Sequence, residues 1–430
     1  AFQIADRVYK GKKEKKLCDH KSHTIHYGYI VDGEQVIDEV LVMLMRGPHS
    51  YTGEDTVEIN CHGGVYVVKR ILELLIKNGA RPAEPGEYTK RAFLNGRLDL
   101  SQAEAVGDLI ASQNEYALQS SVSQLKGNIK DKISEMREKI LYHTAFIETA
   151  LDDPEHISVD GYGETLKKVV DEIMEAMKRL LDSCDDGRII KEGVRTVILG
   201  KPNAGKSSLL NVLLGEDRAI VTDIAGTTRD VLEEHLNLKG ISLNIMDTAG
   251  IRDTEDVVEK IGVDRAKEYA DKADLILYVI DASRPLDEND AEILHLIKGK
   301  RAIILLNKSD LDMQVTKEQE ELPEEFPVIE ISAKNVQGIE ELEDTLKEMF
   351  FQGELTFNDE IYITNVRQKT ALQDAYAALE RVNDSIAADM PEDFYSIDLM
   401  DAYEALGNIT GETIGEDLVN EIFSKFCMGK

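Results

Sequence analysis

The sequence predicts a multidomain fold with an N-terminal α/β domain, a discontinuous α-helical domain, and a P-loop α/β domain inserted between the two helical parts. Three patterns lead to this prediction. Residues 1–100 mix strand and helix patterns, residues 101–192 and 353–430 are helical in pattern, and residues 193–352 alternate buried strands with helices. A chain of 430 residues has the length of about two to four domains.

The first 100 residues have the patterns of a small α/β domain. Two apolar runs are separated by Asp32-Gly33, a pair typical of a tight hairpin turn. A third run ends in a glycine pair, and the helical pattern after it stops at Asn78-Gly79. The stretch 91–100, taken alone, favours a connecting turn. We predict helices at 4–8 and 65–77 and strands at 26–31, 36–45 and 57–64.

The first helical part begins at a capping-box sequence, Ser101-Gln102-Ala103-Glu104. The helical pattern after it runs almost unbroken to residue 151, where Asp152-Asp153-Pro154 interrupts it. A further helix is predicted at 166–183, and Asp186-Gly187 is expected to end it.

The C-terminal tail, from residue 366 to 426, is helical again and contains a second capping box at 413–416. Because this tail is short for a hydrophobic core of its own, we expect it to pack against the helices of 101–190. The domain between them would then be an insertion whose two ends lie close together.

Residues 193–352 alternate apolar strand runs with amphipathic helix patterns, which predicts a doubly wound, mostly parallel sheet. The expected strands lie at 194–199, 243–246, 275–280, 302–306 and 328–331. The expected helices lie at 206–214, 262–270, 289–297 and 339–349.

The segment Gly200–Ser207 has the P-loop spacing of Gly, four residues and Gly-Lys-Ser, and it stands between a predicted strand and a predicted helix. Backbone amides of such a turn and of the helix N-terminus cradle phosphate oxygens. Lys206 would reach the terminal phosphates, and the Ser207 hydroxyl would bind magnesium.

Three further motifs follow strands of the same domain. Asp247-Thr248-Ala249-Gly250 supplies an acid that supports magnesium and a glycine amide that can face a γ-phosphate. Asp310 of Asn307-Lys308-Ser309-Asp310 can accept two hydrogen bonds from guanine, which adenine cannot donate. Ser332-Ala333-Lys334 would place a backbone amide against the guanine carbonyl. Four motifs in this order, each at a strand's carboxyl end, predict a domain that binds GTP.

The loop 222–230 lies between the first two motifs, and Thr228 or Thr227 is a candidate to bring a hydroxyl to magnesium. In Ras-like enzymes a glutamine follows the DxxG glycine and orients the attacking water, but here that residue is Ile251. Hydrolysis is then either very slow or assisted by another group. The acidic segment 253–259, Arg229 or Arg252, and a monovalent cation are the alternatives.

The net charge of −32 argues against a broad basic surface for nucleic acid, so any RNA contact should be local or helped by a partner. The four cysteines, at 18, 61, 184 and 427, form no CxxC pair, which argues against a zinc cage, and they fit a reducing cytoplasm. No apolar run approaches the ~20 residues that span a bilayer. No methionine opens the chain, and we expect the natural N-terminus to lie upstream. Cys427 is either a reactive thiol or a small apolar residue that closes the last helix.

These motifs together resemble the MnmE family (also called TrmE) of tRNA-modification GTPases in bacteria and organelles. The residues that carry the resemblance are GKPNAGKSSLLN at 200–211, TDIAGTTRD at 222–230, DTAG at 247–250, SYTGEDTVEINCHGG at 50–64, RAFLNGRLDLSQAEA at 91–105 and the terminal CMGK at 427–430. The resemblance covers the whole chain and implies a Ras-like GTPase domain and a folate-binding-like N-terminal domain that also forms the dimer.

The resemblance also implies a cytoplasmic homodimer that works with the FAD protein MnmG as a heterotetramer. Together they would add an aminomethyl or carboxymethylaminomethyl group to C5 of the wobble uridine of certain tRNAs, with a one-carbon unit from methylene- or formyl-tetrahydrofolate. GTP, Mg²⁺ and K⁺ are the expected cofactors of this chain, with FAD on the partner protein.

The residue roles that the resemblance implies fall into five groups. Potassium is expected at Asn203, Thr222, Ile224 and Thr227, magnesium at Ser207 and Thr228, and folate at Glu58, Arg97 and Lys430. The catalytic set is Lys206, Asp247, Cys427 and the water-orienting acid Glu259. Nucleotide contacts are expected from Asn203, Ala204, Gly205, Lys206, Ser207, Ser208, Thr222, Asp223, Ile224, Ala225, Gly226, Thr227, Thr228, Asp247, Thr248, Ala249, Gly250, Asn307, Lys308, Asp310, Ser332, Ala333 and Lys334.

The chain departs from the family pattern at Arg97, where lysine is usual, and at Met428, where a β-branched residue or leucine is usual. Two other functions stay open on the sequence. One is a GTP-regulated ribosome-assembly or RNA-binding factor without modification chemistry, which the charge of −32 disfavours. The other is a folate-binding protein whose GTPase only signals occupancy.

Overall fold

The structure is a computed structural model that describes residues 1–12, 15–157, 161–215, 234–238, 240–246, 262–319, 321–351, 362–412 and 422–423. The chain divides into two compact units. The first unit comprises Ala1–Ile110, Ser121–Met177 and Thr370–Lys430, and the second comprises Ala111–Ser120 and Lys178–Lys369. The domain limits expected from the sequence stay a prediction. Among the described residues, no helix combines the length and the apolar character that crossing a bilayer requires.

The helices of the described residues are numbered here in chain order. They are α1 Phe2–Val8, α2 Val65–Lys77, α3 Glu87–Leu94, α4 Leu100–Ala111, α5 Glu115–Leu125, α6 Asn128–Asp152, α7 Tyr162–Asp182, α8 Cys184–Glu192, α9 Lys206–Leu213, α10 Gly262–Lys272, α11 Glu288–Ile297, α12 Ile339–Phe351, α13 Val366–Ala387 and α14 Glu392–Thr410.

The strands of the described residues form one sheet in each unit. They are β1 Tyr9–Gly11, β2 Thr24–Asp32, β3 Gln35–Met45, β4 Thr56–Asn60, β5 Val194–Leu199, β6 Glu234–Leu238, β7 Ile241–Ile245, β8 Leu275–Asp281, β9 Ala302–Asn307 and β10 Val328–Ile331.

The N-terminal sheet is antiparallel, in the order β1-β2-β3-β4. The predicted hairpin between β2 and β3 is confirmed, although the turn residues are Gly33-Glu34, because Asp32 already pairs with Gln35. Gly33 has a φ of +62°, which suits a turn of this kind. One face of the sheet packs against α1 and α2 in a core that includes Ile30, Val40, Val42, Leu44, Ile71 and Leu74. The stretch predicted as a turn at 91–100 instead begins inside α3.

The helical run predicted from 101 to 151 is divided into α4, α5 and α6. The capping box lies two residues earlier than predicted: Asp99 Oδ1 accepts from the Gln102 amide at 3.0 Å, and Gln102 Oε1 accepts from the Asp99 amide at 3.1 Å. Ser101 is therefore inside α4 and its hydroxyl donates to Asp99. Gly127, at a φ of +99°, separates α5 from α6 in a conformation that other residues adopt at a cost.

Helix α14 packs along α6 within the first unit. Arg137 of α6 is buried against it, with its guanidinium carbon 4.0 Å from the centre of the Tyr403 ring. Gly407 allows this approach, because an added Cβ would lie 3.2 Å from Arg137 Nη2. Arg137 also pairs with Glu412 just beyond the helix. The prediction that the tail packs against the first helical part is confirmed, whereas the capping box at 413–416 lies outside the described residues.

The expected helix end at Asp186-Gly187 is wrong. Helix α7 ends at Asp182, and α8 contains both residues. Gly187 is needed for close packing rather than for helix termination: a Cβ there would lie 2.3 Å from the Ile363 carbonyl oxygen.

The second unit is built on a six-stranded sheet in the order β10-β9-β8-β5-β7-β6. Every neighbouring pair is parallel except β6–β7, which confirms a doubly wound, mostly parallel sheet. Strand β6, which the sequence reasoning did not include, forms the antiparallel edge. Strands β8 and β9 are buried along their whole length, and apolar side chains from both of their faces enter separate core clusters.

Candidate functional site

The predicted phosphate-binding turn lies where the strand order of the six-stranded sheet reverses. Strand β5 has β7 on one side and β8 on the other, and the turn 200–205 follows its carboxyl end. Open parallel sheets bind ligands at this point. Helix α9 begins at Lys206, as predicted, so its first backbone amides face the turn and favour an anion.

At two positions of this turn, close contacts leave no room for a side chain, so the residue must be glycine. Gly205 caps α9 at a φ of +101°, and a Cβ there would lie 2.0 Å from Asn307 Nδ2. Gly200 has a φ of +150°, and a Cβ there would lie 2.4 Å from the Val279 carbonyl oxygen. Asn203 also adopts a positive φ, of +64°, which asparagine tolerates better than most residues. The turn therefore lies tight against β8 and the end of β9.

Lys206 folds back over the turn. Its Nζ donates to the Gly200 carbonyl at 2.7 Å and to the Lys201 carbonyl at 2.9 Å. Burial lowers the pKa of Lys206 from its usual value. An ammonium in this position, which donates to two neutral carbonyls, suits an anionic ligand that would compensate its charge.

Asn307 joins the phosphate-binding turn to the predicted base-recognition loop. Its Nδ2 donates to the Ala204 carbonyl at 2.7 Å, and its Oδ1 accepts from the Ala333 amide at 3.1 Å. The Asn307 residue is 2% exposed, and Ala204 and Ala333 are buried as well. Motifs that are separate in the sequence, at 200–207, 307–310 and 332–334, therefore meet around one side chain, as expected for motifs that each follow the carboxyl end of a strand.

The surroundings of Asp310 favour the ionised form of its carboxyl group, which accepts hydrogen bonds. Ser332 Oγ donates to Asp310 Oδ1 at 2.6 Å, and this hydrogen bond lowers the pKa of the exposed Asp310 carboxyl. The Ser332 residue is itself fully buried, so it holds the carboxylate in one orientation. A fixed, charged carboxylate with a second oxygen can accept from a donor edge such as that of guanine.

Asp281 is a site residue that the sequence reasoning missed. It ends β8, and its Oδ2 accepts from Lys308 Nζ at 2.6 Å. Although burial opposes it, hydrogen bonds from Lys308 and Ser283 lower the pKa of Asp281. Lys308 has a φ of +67°, so this ion pair helps to hold an unfavourable backbone conformation in the loop. An acid at the end of a buried strand was the signal that could have found it.

The two described folate candidates lie in the first unit. Glu58 is exposed on β4, and Arg97 is exposed just after α3 with its guanidinium carbon 5.2 Å from the centre of the Tyr51 ring. Glu58 presents a carboxylate, which suits an N–H donor edge, and Arg97 presents a cation, which suits an acidic group.

Ser207 and Ser208 lie in the first turn of α9, and Lys334 is exposed in the loop after β10. The other predicted site residues lie outside the described residues. They are Thr222, Asp223, Ile224, Ala225, Gly226, Thr227, Thr228, Asp247, Thr248, Ala249, Gly250, Glu259, Cys427 and Lys430, together with Arg229, Ile251, Arg252 and the acidic segment 253–259.

Comparison with known proteins extends over the whole chain. The family model described as MnmE helical domain matches residues 100–427, and the model described as GTP-binding protein TrmE N-terminus matches residues 1–97. Three relatives, each named tRNA modification GTPase MnmE, are similar over 100% of this chain and 94% of their own length. They come from Lachnoclostridium phytofermentans at 57% identity, Acetivibrio thermocellus at 51% and Clostridioides difficile at 49%.

Proposed function

The chain belongs to the MnmE family, and on that premise we propose that it is a GTP-hydrolysing enzyme that takes part in tRNA modification. The Asn307 bridge between Ala204 and Ala333 is the observation that supports this function best. It brings a phosphate-binding turn and a loop suited to guanine to the same edge of one sheet.

In the proposed mechanism, the turn and the first amides of α9 bind the phosphates, and Asp310 selects guanine. Lys206 would exchange its bonds to the Gly200 and Lys201 carbonyls for bonds to phosphate oxygens. Glu259 would orient the attacking water, a role that Ile251 cannot fill.

The oxygen donors of the turn fit two cations. Ser207, with Thr228, would hold magnesium, because a hydroxyl in the first turn of α9 is a hard oxygen ligand. Asn203, with Thr222, Ile224 and Thr227, would hold potassium. The chemistry that both cations supply when bound is neutralisation of charge on the phosphate oxygens, for which some relatives use an arginine.

We place tetrahydrofolate binding in the N-terminal residues, with Glu58 as the acceptor for the pterin edge and Arg97 with Lys430 as cations for the acidic tail or the formyl oxygen. The protein would act as a cytoplasmic homodimer with MnmG, an FAD protein, on the C5 position of the wobble uridine of certain tRNAs. Cys427 is a candidate for that chemistry.

Mass spectrometry of tRNA from cells that lack the gene tests the function. We expect the wobble uridine to lose its C5 group and to regain it when the parent gene is restored. Normal tRNA accompanied by stalled ribosomal particles would instead favour an assembly factor. Competition between GTP and ATP for the purified protein tests the guanine selectivity, and equal binding of the two nucleotides would contradict it.

Two measurements test the hydrolysis mechanism. Glu259→Ala should keep GTP binding and lose most of the turnover, whereas the control Glu324→Ala, at an exposed position of the same unit, should keep both. Near-normal turnover in Glu259→Ala would remove it from the water-orienting role. Replacing potassium by sodium should slow hydrolysis by orders of magnitude, and equal rates in both salts would remove Asn203 from the cation site.

A further inference from the structure

Lys201, the second residue of the phosphate-binding turn, forms an ionic link to helix α11. Its Nζ lies 2.8 Å from Asp287 Oδ2 and 2.6 Å from Asp290 Oδ2. The Asp290 side chain is only 2% exposed, whereas the Lys201 side chain is 25% exposed. Burial opposes the charge of Lys201, but the two carboxylates outweigh it and raise the pKa of the lysine.

The carboxylates that receive Lys201 are fixed by other contacts. Asp287 is the N-cap of α11, with its Oδ1 accepting from the Asn289 and Asp290 amides, and Asp290 Oδ2 accepts from the Asp287 amide at 3.0 Å. On its other oxygen, Asp290 accepts from the hydroxyl of the fully buried Tyr278 at 2.7 Å. The two carboxylates that bind Lys201 are therefore held in fixed positions, and Asp290 connects them to a tyrosine in the core of the unit.

The backbone of Lys201 takes part in the phosphate-binding turn itself. Its carbonyl accepts from Lys206 Nζ at 2.9 Å and from the Ala204 amide at 3.2 Å. The side chain therefore fixes the residue whose carbonyl closes the turn through the Ala204 amide and holds Lys206 before the nucleotide binds. Its neighbours Gly200 and Pro202 carry no side chain long enough for such a contact, whereas Lys201 reaches the start of α11.

We propose that Lys201 is a positioning residue that keeps the phosphate-binding turn in its binding conformation by linking it to the Asp287–Asp290 capping box. This role rests on the proposed GTP binding. If only a fraction of molecules hold the turn in that conformation, the apparent affinity is the intrinsic affinity multiplied by that fraction. A bound nucleotide restores the conformation, so the effect should fall on KM and Kd and much less on kcat.

The test is titration of the full-length protein with labelled GTP and GDP, together with steady-state hydrolysis. Lys201→Met should weaken the binding of both nucleotides by about ten-fold and change kcat by less than about two-fold. Lys201→Arg, which can still reach two carboxylates, should restore most of the affinity. The control Lys317→Met removes a lysine that pairs with Glu341 in the same unit, and it should leave affinity unchanged.

A second variant separates positioning from a folding defect. Lys201→Met leaves Asp290 buried without its cation, and Lys201→Met/Asp290→Asn removes that charge while the link stays absent. We expect the double variant to melt at a higher temperature than Lys201→Met and to bind nucleotide as weakly. Recovery of parental affinity in the double variant, or unchanged affinity in Lys201→Met, would overturn the positioning role. Failure of the parent protein to bind GTP would instead contradict the proposed function.

Discussion

With Asn307 replaced by alanine, the six-stranded sheet should open far more readily than in the parent protein, because this one buried side chain holds two loops together. The change removes the bond to the Ala204 carbonyl at 2.7 Å and the bond from the Ala333 amide at 3.1 Å. Each backbone group then stays buried without a partner, at about 1–3 kcal/mol apiece. With partial access of water to the loops, we expect a loss of about 3 kcal/mol in the free energy of opening.

Hydrogen exchange followed by mass spectrometry on the β5 peptide measures this opening without contribution from the first unit. A loss of about 3 kcal/mol corresponds to exchange faster by roughly a hundred-fold. Asn335→Ala is the matched control, because Asn335 is exposed in the same loop after β10 and should change exchange little. Acceleration below about five-fold in Asn307→Ala would refute the reasoning, because it would mean that neither backbone group depends on this side chain.

Three other changes test separate parts of the site and its supporting sheet. Gly205→Ala should weaken GTP binding at least ~10-fold in a fluorescence titration, because the Cβ would lie 2.0 Å from Asn307 Nδ2. The control Gly299→Ala, at a similar φ of +75° in open space, should leave GTP binding unchanged. Equal affinities of the two variants would show that the turn tolerates a Cβ. Tyr278→Phe should lower the unfolding free energy by about 1–2 kcal/mol, because Asp290 loses a buried donor, and an unchanged thermal midpoint would contradict this. The guanidinium groups of Arg195 and Arg188 outweigh burial and lower the pKa of Asp274 to about 2. That carboxylate therefore adds about 2 kcal/mol of stability above pH 4, which is lost as the pH falls from about 4 to 2; Asp274→Asn should flatten this part of the stability profile, and an unchanged acid limb would contradict the assignment.

The mostly parallel sheet and the position of the phosphate-binding turn could be predicted because their signals are local. Apolar runs followed by glycine-rich or acidic turns identify strand ends, and parallel topology brings those ends to one edge. Helices α2, α9 and α12 were predicted to within a few residues, since amphipathic spacing and end signals agree there.

Other predictions failed where packing, or a second local signal, outweighed the pattern on which the prediction rested. Asp186-Gly187 has the pattern of a helix end, yet both residues lie within α8. Glycine is required at position 187 because the Ile363 carbonyl passes too close for any side chain. The capping box near residue 101 was displaced to Asp99, because an aspartate and a glutamine at the right spacing compete with Ser101 and Glu104.

By itself, the sequence determined which residues are candidates to contact phosphate and base: the glycines and lysine of the turn, Asn307, Asp310 and the loop at 332–334 follow recognisable strand ends. Only the tertiary structure decided how these residues support one another. Asn307 reaches Ala204 across 103 positions of sequence, and Lys201 reaches Asp290 across 89. Such contacts depend on the order and register of the strands between them, which bring distant backbone segments to within a hydrogen bond of each other, and no local pattern records those distances.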